Sequence, residues 1–520
     1  MPAIVLARPS RRATIRFLSV AAAAAFVLAN LAGGLAHTSR SQALRASDAQ
    51  IEAFLIEQVR DAGYPGAAFA IVRDGKVTHS GGIGRADDSG RPVGAQTPFV
   101  IGSLSKAITA AAVIQLVERS LVDLDAPVTR YLADFRLADG RVREITVRQL
   151  LTHTSGIPTS AGSAPLSKGV TSLKAQVAYL AGVSLVSDPG AALEYSNANY
   201  LILGLLVERA SGSDFGTYVA EHVFEPLGMK HAHVDLPDAK ADGLTDAHRF
   251  WFGIPRAGEP LWRPDLVPAG WLISSADDLG RFVAANVNGG SLGGRRILSR
   301  AGIEQMHNGT VKGIHGAYGM GWIDGRLGST RAVSHSGSTT DMASAIYFAP
   351  EQRTGLVLLF NGQSVVYELL HKPEAIAEAA FARMIGESPG GTLVGLYPVF
   401  TVATVLLLGF LLRSLTRVMR AAARGEPVVG PVRGRRWLGA ALTIWGRLML
   451  PLLVLWTAPA TLAAPWEVLV QIDLGQVLAA YATLQLLTFS VVAATVVARQ
   501  ARRLGGPASE RLLEAGRLTG

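Results

Sequence analysis

The chain has 520 residues, long enough for more than one domain, and its mean hydropathy is +0.29. It contains no cysteine, which excludes disulfides, thiolate catalysis and cysteine-based zinc sites. The formal net charge is +9, but residues 37–390 hold slightly more acidic than basic side chains, so the excess of arginine lies at the two ends. We interpret this distribution as membrane topology, not as nucleic-acid binding.

The first 36 residues have the composition of an export signal. Four arginines and no acidic residue precede or begin an apolar run over residues 17–35. Gly34-Leu35-Ala36 then offers a small-x-small cleavage site. Residues 1–36 are therefore predicted to be a signal peptide, with an uncleaved N-terminal anchor as the alternative.

Residues 51–385 are predicted to form a globular domain large enough for a sizeable core. A helix over residues 51–61 opens it. An apolar strand over residues 67–72 then leads through Asp74-Gly75 into a second strand, a pattern typical of a tight hairpin.

The middle of this domain, from about residue 121 to 267, has helical and loop-rich patterns with few strand signals. Strand signals return near its end, and Pro373 opens a last helix to residue 385. We therefore predict an α+β fold, in which an antiparallel sheet built from both ends is flanked by helices and a helical subdomain is inserted. The three late strands are predicted at residues 332–335, 343–348 and 356–360.

The C-terminal part contains three apolar segments long enough to be transmembrane helices, at residues 392–412, 438–464 and 474–498. The loop at 413–436 holds seven arginines, and the tail at 499–520 begins with three more. The positive-inside rule places both in the cytoplasm and the globular domain on the other side. We predict a bacterial inner-membrane protein with a periplasmic or extracellular domain.

A hydroxyl and an amine stand three residues apart in Ser103-Leu104-Ser105-Lys106. Residues 107–117 are rich in Ala, Ile and Leu without Gly or Pro, which predicts a buried helix. Such a helix would put Ser103 and Lys106 on one face and supply N–H donors at its start. Serine hydrolysis needs a nucleophile, a base and oxyanion donors, although this motif alone also fits a solvated helix face.

Two further motifs are weak when taken singly. In Tyr195-Ser196-Asn197, a tyrosine near a lysine ammonium would be favoured as phenolate and could move protons, while Asn197 could hold substrate or lysine. In His335-Ser336-Gly337, the glycine would let a substrate backbone lie against a strand edge. A packed tyrosine and a buried, hydrogen-bonded histidine are the alternatives.

Taken together, Ser-x-x-Lys, Tyr-x-Asn and His-x-Gly in this order resemble the motif set of the penicillin-recognising serine hydrolases. This family includes class C β-lactamases, D-alanyl-D-alanine carboxypeptidases and related esterases. The resemblance spans roughly residues 50–385. Further segments that carry it are Phe99-Val100-Ile101-Gly102, the run from Ile145 to Gly156 ending in His153-Thr154-Ser155-Gly156, Pro226-Leu227-Gly228-Met229, Ala269-Gly270-Trp271-Leu272-Ile273-Ser274 and Tyr318-Gly319-Met320-Gly321-Trp322.

The resemblance implies a role for each motif residue. Ser103 would be the acylated nucleophile, and Lys106 and Tyr195 would share general-base and general-acid work, in an order that the sequence leaves open. Asn197 would position substrate and lysine. The N–H groups of Ser103 and Ser338 would form the oxyanion hole, next to Gly337. No cofactor is implied.

His335 departs from the lysine that most β-lactamases carry at this position. The departure favours peptidase- or esterase-like members over antibiotic resistance. It also leads to the hypothesis that His335 makes recognition of an anionic substrate group pH-dependent.

The architecture of an exported hydrolase followed by three spans resembles the membrane-bound peptidases that remove an acylated D-asparagine from a prodrug. We therefore expect a small peptide or acylated amino-acid substrate, cleaved at an amide bond. An esterase or β-lactamase of the same family is the alternative, and a penicillin-sensing membrane receptor is the alternative of another class. The cytoplasmic segments are short for a receptor with an effector domain.

The sequence gives little support for a metal site or for nucleic-acid binding. His231 and His233, with Asp235 close by, lack a further histidine at ligand spacing and are interpreted as surface residues. No glycine-rich phosphate loop occurs between a strand and a helix.

Overall fold

The computed structural model describes residues 45–162, 172–251, 254–313, 316–363 and 373–388, with a few positions between 409 and 424. The predicted signal or anchor at 1–36 lies outside these residues. So do the predicted transmembrane helices, loop and tail from 392 onward, apart from those few positions. Among the described helices, none combines the length and the apolar character that a bilayer crossing requires.

Strands from the two ends of the domain meet in one eight-stranded antiparallel sheet. The described strands, in chain order, are β1 (Gly66–Arg73), β2 (Lys76–Gly84), β3 (Phe99–Val100), β4 (Ala247–Trp251), β5 (Ile254–Gly258), β6 (Ile273–Ser274), β7 (Ser291–Leu292), β8 (Arg295–Arg296), β9 (Val311–Lys312), β10 (Ala317–Tyr318), β11 (Ile323–Leu327), β12 (Thr330–Ser338), β13 (Ala343–Ala349), β14 (Thr354–Phe360) and β15 (Gly362–Gln363). The large sheet has the order β2-β1-β14-β13-β12-β11-β10-β9.

Helices cover both faces of this sheet and form the inserted middle. They are α1 (Asp48–Asp61), α2 (Ser105–Glu118), α3 (Val147–Leu151), α4 (Leu173–Ala178), α5 (Asn197–Ser211), α6 (Phe215–Val219), α7 (Glu225–Leu227), α8 (Leu236–Ala241), α9 (Ala276–Val287), α10 (Arg300–His307) and α11 (Pro373–Ile385). The predicted antiparallel sheet flanked by helices is thus confirmed.

The alternation of side chains along β1 explains why both faces of the sheet are buried. Phe69 and Ile71 point to the face that α1 and α11 cover, together with Leu358 of β14. Ala70 and Val72 point to the opposite face, which packs against α9 in the larger core, to which α2 also contributes. A strand with two buried faces reads as a nearly continuous apolar run, as β14 does.

Local signals explain the ends of several elements. The hairpin between β1 and β2 turns through Asp74 and Gly75, whose φ angles of 50° and 72° suit the predicted tight turn. Ser47 and Gln50 form a capping box that starts α1. The hairpin of β4 and β5 was not predicted, because its second strand, Ile-Pro-Arg-Ala-Gly, has the composition of a turn.

Candidate active site

Ser103 lies on a short 3₁₀ turn, Gly102–Leu104, directly before α2. Residues of α2 are buried on all sides along most of its length, as expected for a helix that is apolar all round. Gly102 has a φ of 54°, and a Cβ there would lie 2.6 Å from the backbone nitrogen of Ser338. The turn therefore needs glycine, both for its backbone conformation and for its close contact with β12.

Lys106 lies at the start of α2 with its side chain fully buried. Its Nζ lies 3.0 Å from Oγ of Ser103, 2.7 Å from Oδ1 of Asn197 and 2.6 Å from the carbonyl oxygen of Ala269, all within hydrogen-bond distance. All three partners are uncharged. Burial without a countercharge lowers the pKa of Lys106 well below its usual value, because the ammonium form loses its hydration.

Tyr195 comes from the extended segment before α5 and reaches the same point. Its phenol interacts with the side chain of Ser103, and its ring centroid lies 4.9 Å from Nζ of Lys106. Removal from water raises the pKa of Tyr195 above its usual value. The expectation of a phenolate beside a lysine ammonium is thus not supported, because the surroundings of both groups favour their neutral forms.

The backbone donors predicted for the oxyanion hole are brought together. A Cβ on Gly102 would touch Ser338 N, and a Cβ on Gly337 would lie 2.9 Å from Ser103 N. The same Cβ would lie 2.2 Å from the carbonyl oxygen of Ile101. Gly337 therefore allows β12 to approach the nucleophile turn, which differs from the predicted role of making room for a substrate backbone.

His335 lies on β12 beside the site and is 4% exposed. Its Nδ1 is 2.6 Å from the carbonyl oxygen of Ser336, which can only accept, so Nδ1 carries the proton. Its Nε2 then accepts from the hydroxyl of Tyr318 at 3.2 Å. Burial, with a smaller contribution from Lys106, lowers the pKa of His335 to about 3.

A neutral His335 does not fit the hypothesis that this residue senses pH. The imidazole would be uncharged throughout the range in which an unperturbed histidine titrates. Its second nitrogen is already occupied by Tyr318. The structure thus supports the alternative interpretation, in which His335 is a buried and hydrogen-bonded histidine next to the site.

Three more aromatic residues surround Lys106 and Tyr195, and the sequence had assigned them no role. The ring centroid of His153 lies 4.2 Å from that of Tyr195 in a tilted arrangement, and the ring centroid of Tyr318 lies 4.9 Å from that of His153. Tyr200 donates to the carbonyl oxygen of Leu151 at 2.8 Å. His153 and Tyr318 belong to segments that carry the family resemblance, and that was the available signal. Ala269 also belongs to such a segment, and it acts through its backbone carbonyl.

The histidines interpreted as surface residues are held by a carboxylate. Nδ1 of His231 lies 2.9 Å, and Nε2 of His233 lies 2.7 Å, from Oδ2 of Asp242. Asp235 caps the start of α8. Within the described ranges, no group of three or more His, Asp or Glu side chains is placed to hold a metal ion.

Comparison with known proteins agrees with this geometry. The family model described as Beta-lactamase matches residues 51–381. Protein flp of Staphylococcus aureus strain MW2 is 26% identical over 322 residues, which cover 61% of this chain and 63% of flp. Esterase EstB of Burkholderia gladioli is 36% identical over 228 residues, 41% of this chain and 55% of EstB. The chain thus spans less than two thirds of the length of these relatives.

A solved structure shows the same fold. The octameric penicillin-binding protein homologue from Pyrococcus abyssi aligns with a TM-score of 0.59 and 26% identity, over 66% of this chain and 78% of that one. The family match covers more than half of the chain, from α1 to α11. The chain therefore belongs to the beta-lactamase family.

Proposed function

We propose that this chain is a membrane-anchored, extracytoplasmic hydrolase that cleaves an amide bond of an acylated or D-amino-acid-containing peptide through an acyl-enzyme on Ser103. The observation that carries the chemistry is the set of three contacts around Nζ of Lys106. The membrane placement rests on the arginine distribution and apolar segments of the sequence.

The contacts of Lys106 favour this residue as the base. A neutral amine has two N–H donors and one lone pair. The carbonyl oxygens of Ala269 and Asn197 can only accept, so they take the two N–H groups. The lone pair is left for the hydroxyl of Ser103, 3.0 Å away. Burial lowers the pKa of Lys106 and so favours this neutral form.

These contacts allow each proton transfer during acylation to be assigned to a residue. Oγ of Ser103 attacks the scissile carbonyl carbon while its proton moves to Lys106 Nζ. The oxygen of the tetrahedral intermediate is stabilised by the N–H groups of Ser103 and Ser338. The phenol of Tyr195 donates its proton to the leaving nitrogen and is reprotonated by Lys106. Water then attacks the acyl-enzyme, with Tyr195 and Lys106 acting in reverse.

The state of His335 bears on the substrate class. β12 presents a neutral, engaged imidazole where a lysine would place a cation. This supports substrates with no free carboxylate beside the scissile bond, such as an acyl-D-asparagine amide, over peptides that end in a carboxylate. An ester of the same kind is the second candidate, and the similarity to EstB favours it.

The nucleophile is tested by labelling the full chain with a fluorophosphonate probe. Ser103→Ala is expected to abolish labelling, and Ser89→Ala, an exposed serine, to leave it unchanged. Turnover is then compared among an acyl-D-asparagine amide, a D-alanyl-D-alanine peptide and a p-nitrophenyl ester. Labelling that survives Ser103→Ala refutes the nucleophile, and acylation without turnover of any substrate favours the receptor alternative.

The predicted topology is tested separately from the chemistry. Because the chain has no cysteine, single cysteines can be introduced without background. Gly434→Cys and Ser509→Cys are expected to react with a membrane-impermeant maleimide only after the cells are permeabilised. Val468→Cys is expected to react in intact cells. The reverse pattern would contradict the proposed placement.

A further inference from the structure

We infer that His153 is a positioning residue that holds Tyr195 in its place beside Ser103. This inference rests on the proposed function, because it concerns how one of the proposed proton-transfer groups is oriented. It assigns no chemical step to His153. Its basis is a set of contacts that enclose Tyr195 from both sides along the chain.

His153 contacts the backbone on each side of Tyr195. Its carbonyl oxygen accepts from the N–H of Glu194 at 2.8 Å, and its ring Nδ1 accepts from the N–H of Ser196 at 3.2 Å. The imidazole also packs against the phenol ring, with centroids 4.2 Å apart and an angle of 35° between the ring planes. His153 thus contacts the backbone on both sides of Tyr195 as well as its ring.

The hydrogen-bond network assigns the tautomer of His153. Ser155 donates to Oδ1 of Asn199 at 2.6 Å, so the amide NH₂ of Asn199 faces Nδ1 of His153 at 3.0 Å. With the N–H of Ser196 also directed at Nδ1, this nitrogen must accept. The proton of the neutral ring is therefore on Nε2. Burial, with Lys106 close by, lowers the pKa of His153 well below its usual value, which agrees with a neutral ring.

Two features of His153 are energetically unfavourable, and neither is needed to fill the space that its side chain occupies. Its φ is 57°, in the left-handed region, just after the end of α3, where glycine is the common residue. Its Nε2 is buried without a hydrogen-bond partner among the described residues. A strained backbone and an unpaired N–H at one residue beside the reacting groups point to a functional constraint.

The rest of the loop supports the same segment. Thr159 donates to the carbonyl oxygen of Tyr195 at 2.6 Å, and Ser196 donates to that of Pro158 at 2.9 Å. These contacts hold the backbone of residues 195 and 196. Among the contacts described, the ring of His153 is the one that both accepts from this backbone and packs against the phenol.

The inference is tested by a double-mutant cycle in the full chain, using a p-nitrophenyl ester and single-turnover kinetics. His153→Leu removes the acceptor and is expected to lower kcat about 10²-fold with KM little changed, since a misplaced catalytic group has an effect of this size. In the Tyr195→Phe background the same change is expected to lower kcat by less than about 3-fold, because the two residues act as one unit. Equal losses in both backgrounds would overturn the inference.

Conservative substitutions of His153 distinguish a loss of positioning from a loss of folding, because only a variant that restores the acceptor should restore the rate. His153→Asn tolerates the left-handed conformation and keeps an acceptor near the position of Nδ1, so it is expected to recover most of the rate. His153→Gln places its acceptor further out and is not expected to do so. If His153→Leu does not fold, the comparison of Asn with Gln still decides, and equal rates for these two variants would overturn the inference.

A matched control is available in His307, a buried histidine that bonds to Asn286 at 2.9 Å and has no described contact with Tyr195 or Ser103. His307→Leu is expected to lower the melting temperature while kcat per folded molecule stays unchanged. Turnover that persists in Ser103→Ala would refute the proposed function itself. If turnover depends on Ser103 but the losses of kcat caused by His153→Leu and Tyr195→Phe are additive, only the role of His153 is refuted.

Discussion

Nζ of Lys106 lies 3.0 Å from Oγ of Ser103, and its two other hydrogen-bond partners are uncharged carbonyl oxygens. A buried amine in such surroundings is poorly stabilised as an ammonium. The same contacts direct the lone pair of the neutral amine toward the serine hydroxyl. Several consequences of this relationship can be measured.

Replacement of Lys106 by arginine should remove the base while keeping a long basic side chain. The guanidinium stays protonated at every accessible pH and cannot take a proton from Ser103. We expect kcat/KM to fall by at least about 10²-fold, the usual contribution of general-base catalysis. The burst of p-nitrophenol from an activated ester measures this. Near-normal acylation by Lys106→Arg would assign the base elsewhere.

Replacement of Asn197 by aspartate should shift the pH profile. A carboxylate beside Nζ would stabilise the ammonium and raise the pKa of Lys106. Because the neutral amine is the active form, the acidic limb of kcat/KM should move to higher pH. Activity at pH 7 should fall and recover as the pH is raised.

Asn197→Ala is the control for this shift. It removes the same hydrogen bond without adding a charge, so its acidic limb should not move to higher pH. An unchanged limb in Asn197→Asp would show that Lys106 does not titrate in the rate-controlling step.

The KM for a carboxylate-bearing substrate should be flat between pH 5 and 8. The pKa of His335 is lowered to about 3, so the ring is neutral over this whole interval and gains its charge only in much more acidic solution. Steady-state kinetics at constant ionic strength would check this. A KM that rises steadily with pH, and loses that rise in His335→Gln, would restore the pH-sensing hypothesis.

Gly321→Ala should destabilise the domain and disturb the site. The residue has a φ of 75°, and a Cβ would lie 2.9 Å from the carbonyl oxygen of Lys106 and from Cα of Ala107. Left-handed backbone costs about 1–2 kcal/mol, and overpacking adds about 1–3 kcal/mol. Chemical denaturation gives the free energy of unfolding, and ester turnover gives the effect on the site.

Gly293→Ala separates the two contributions. Gly293 has a φ of 57° but faces open space, so it should show only the backbone cost. Equal losses of stability in the two variants would mean that the contact of Gly321 with α2 is not tight. In that case the turnover of Gly321→Ala should also be close to normal.

Much of the fold could be predicted because its signals are local. The turn of Asp74 and Gly75 marks the first hairpin, and Pro373 marks the start of α11, which ends at the predicted residue. The sheet formed by both ends follows from strands placed early and late in the domain. The hairpin of β4 and β5 escaped prediction because its second strand has the composition of a turn, and its pairing partner β15 lies about 110 residues further along the chain.

The amino-acid sequence by itself indicated the motif residues of the site, since the order and spacing of Ser103, Lys106, Tyr195 and Asn197 can be read along the chain. Only the tertiary structure decided their protonation and direction. The loss of hydration depends on everything packed around a group, and the free lone pair of Lys106 depends on a carbonyl contributed by Ala269, far away in the chain. His335 is likewise neutral because Tyr318 and buried surroundings, not its neighbours in the motif, complete its environment.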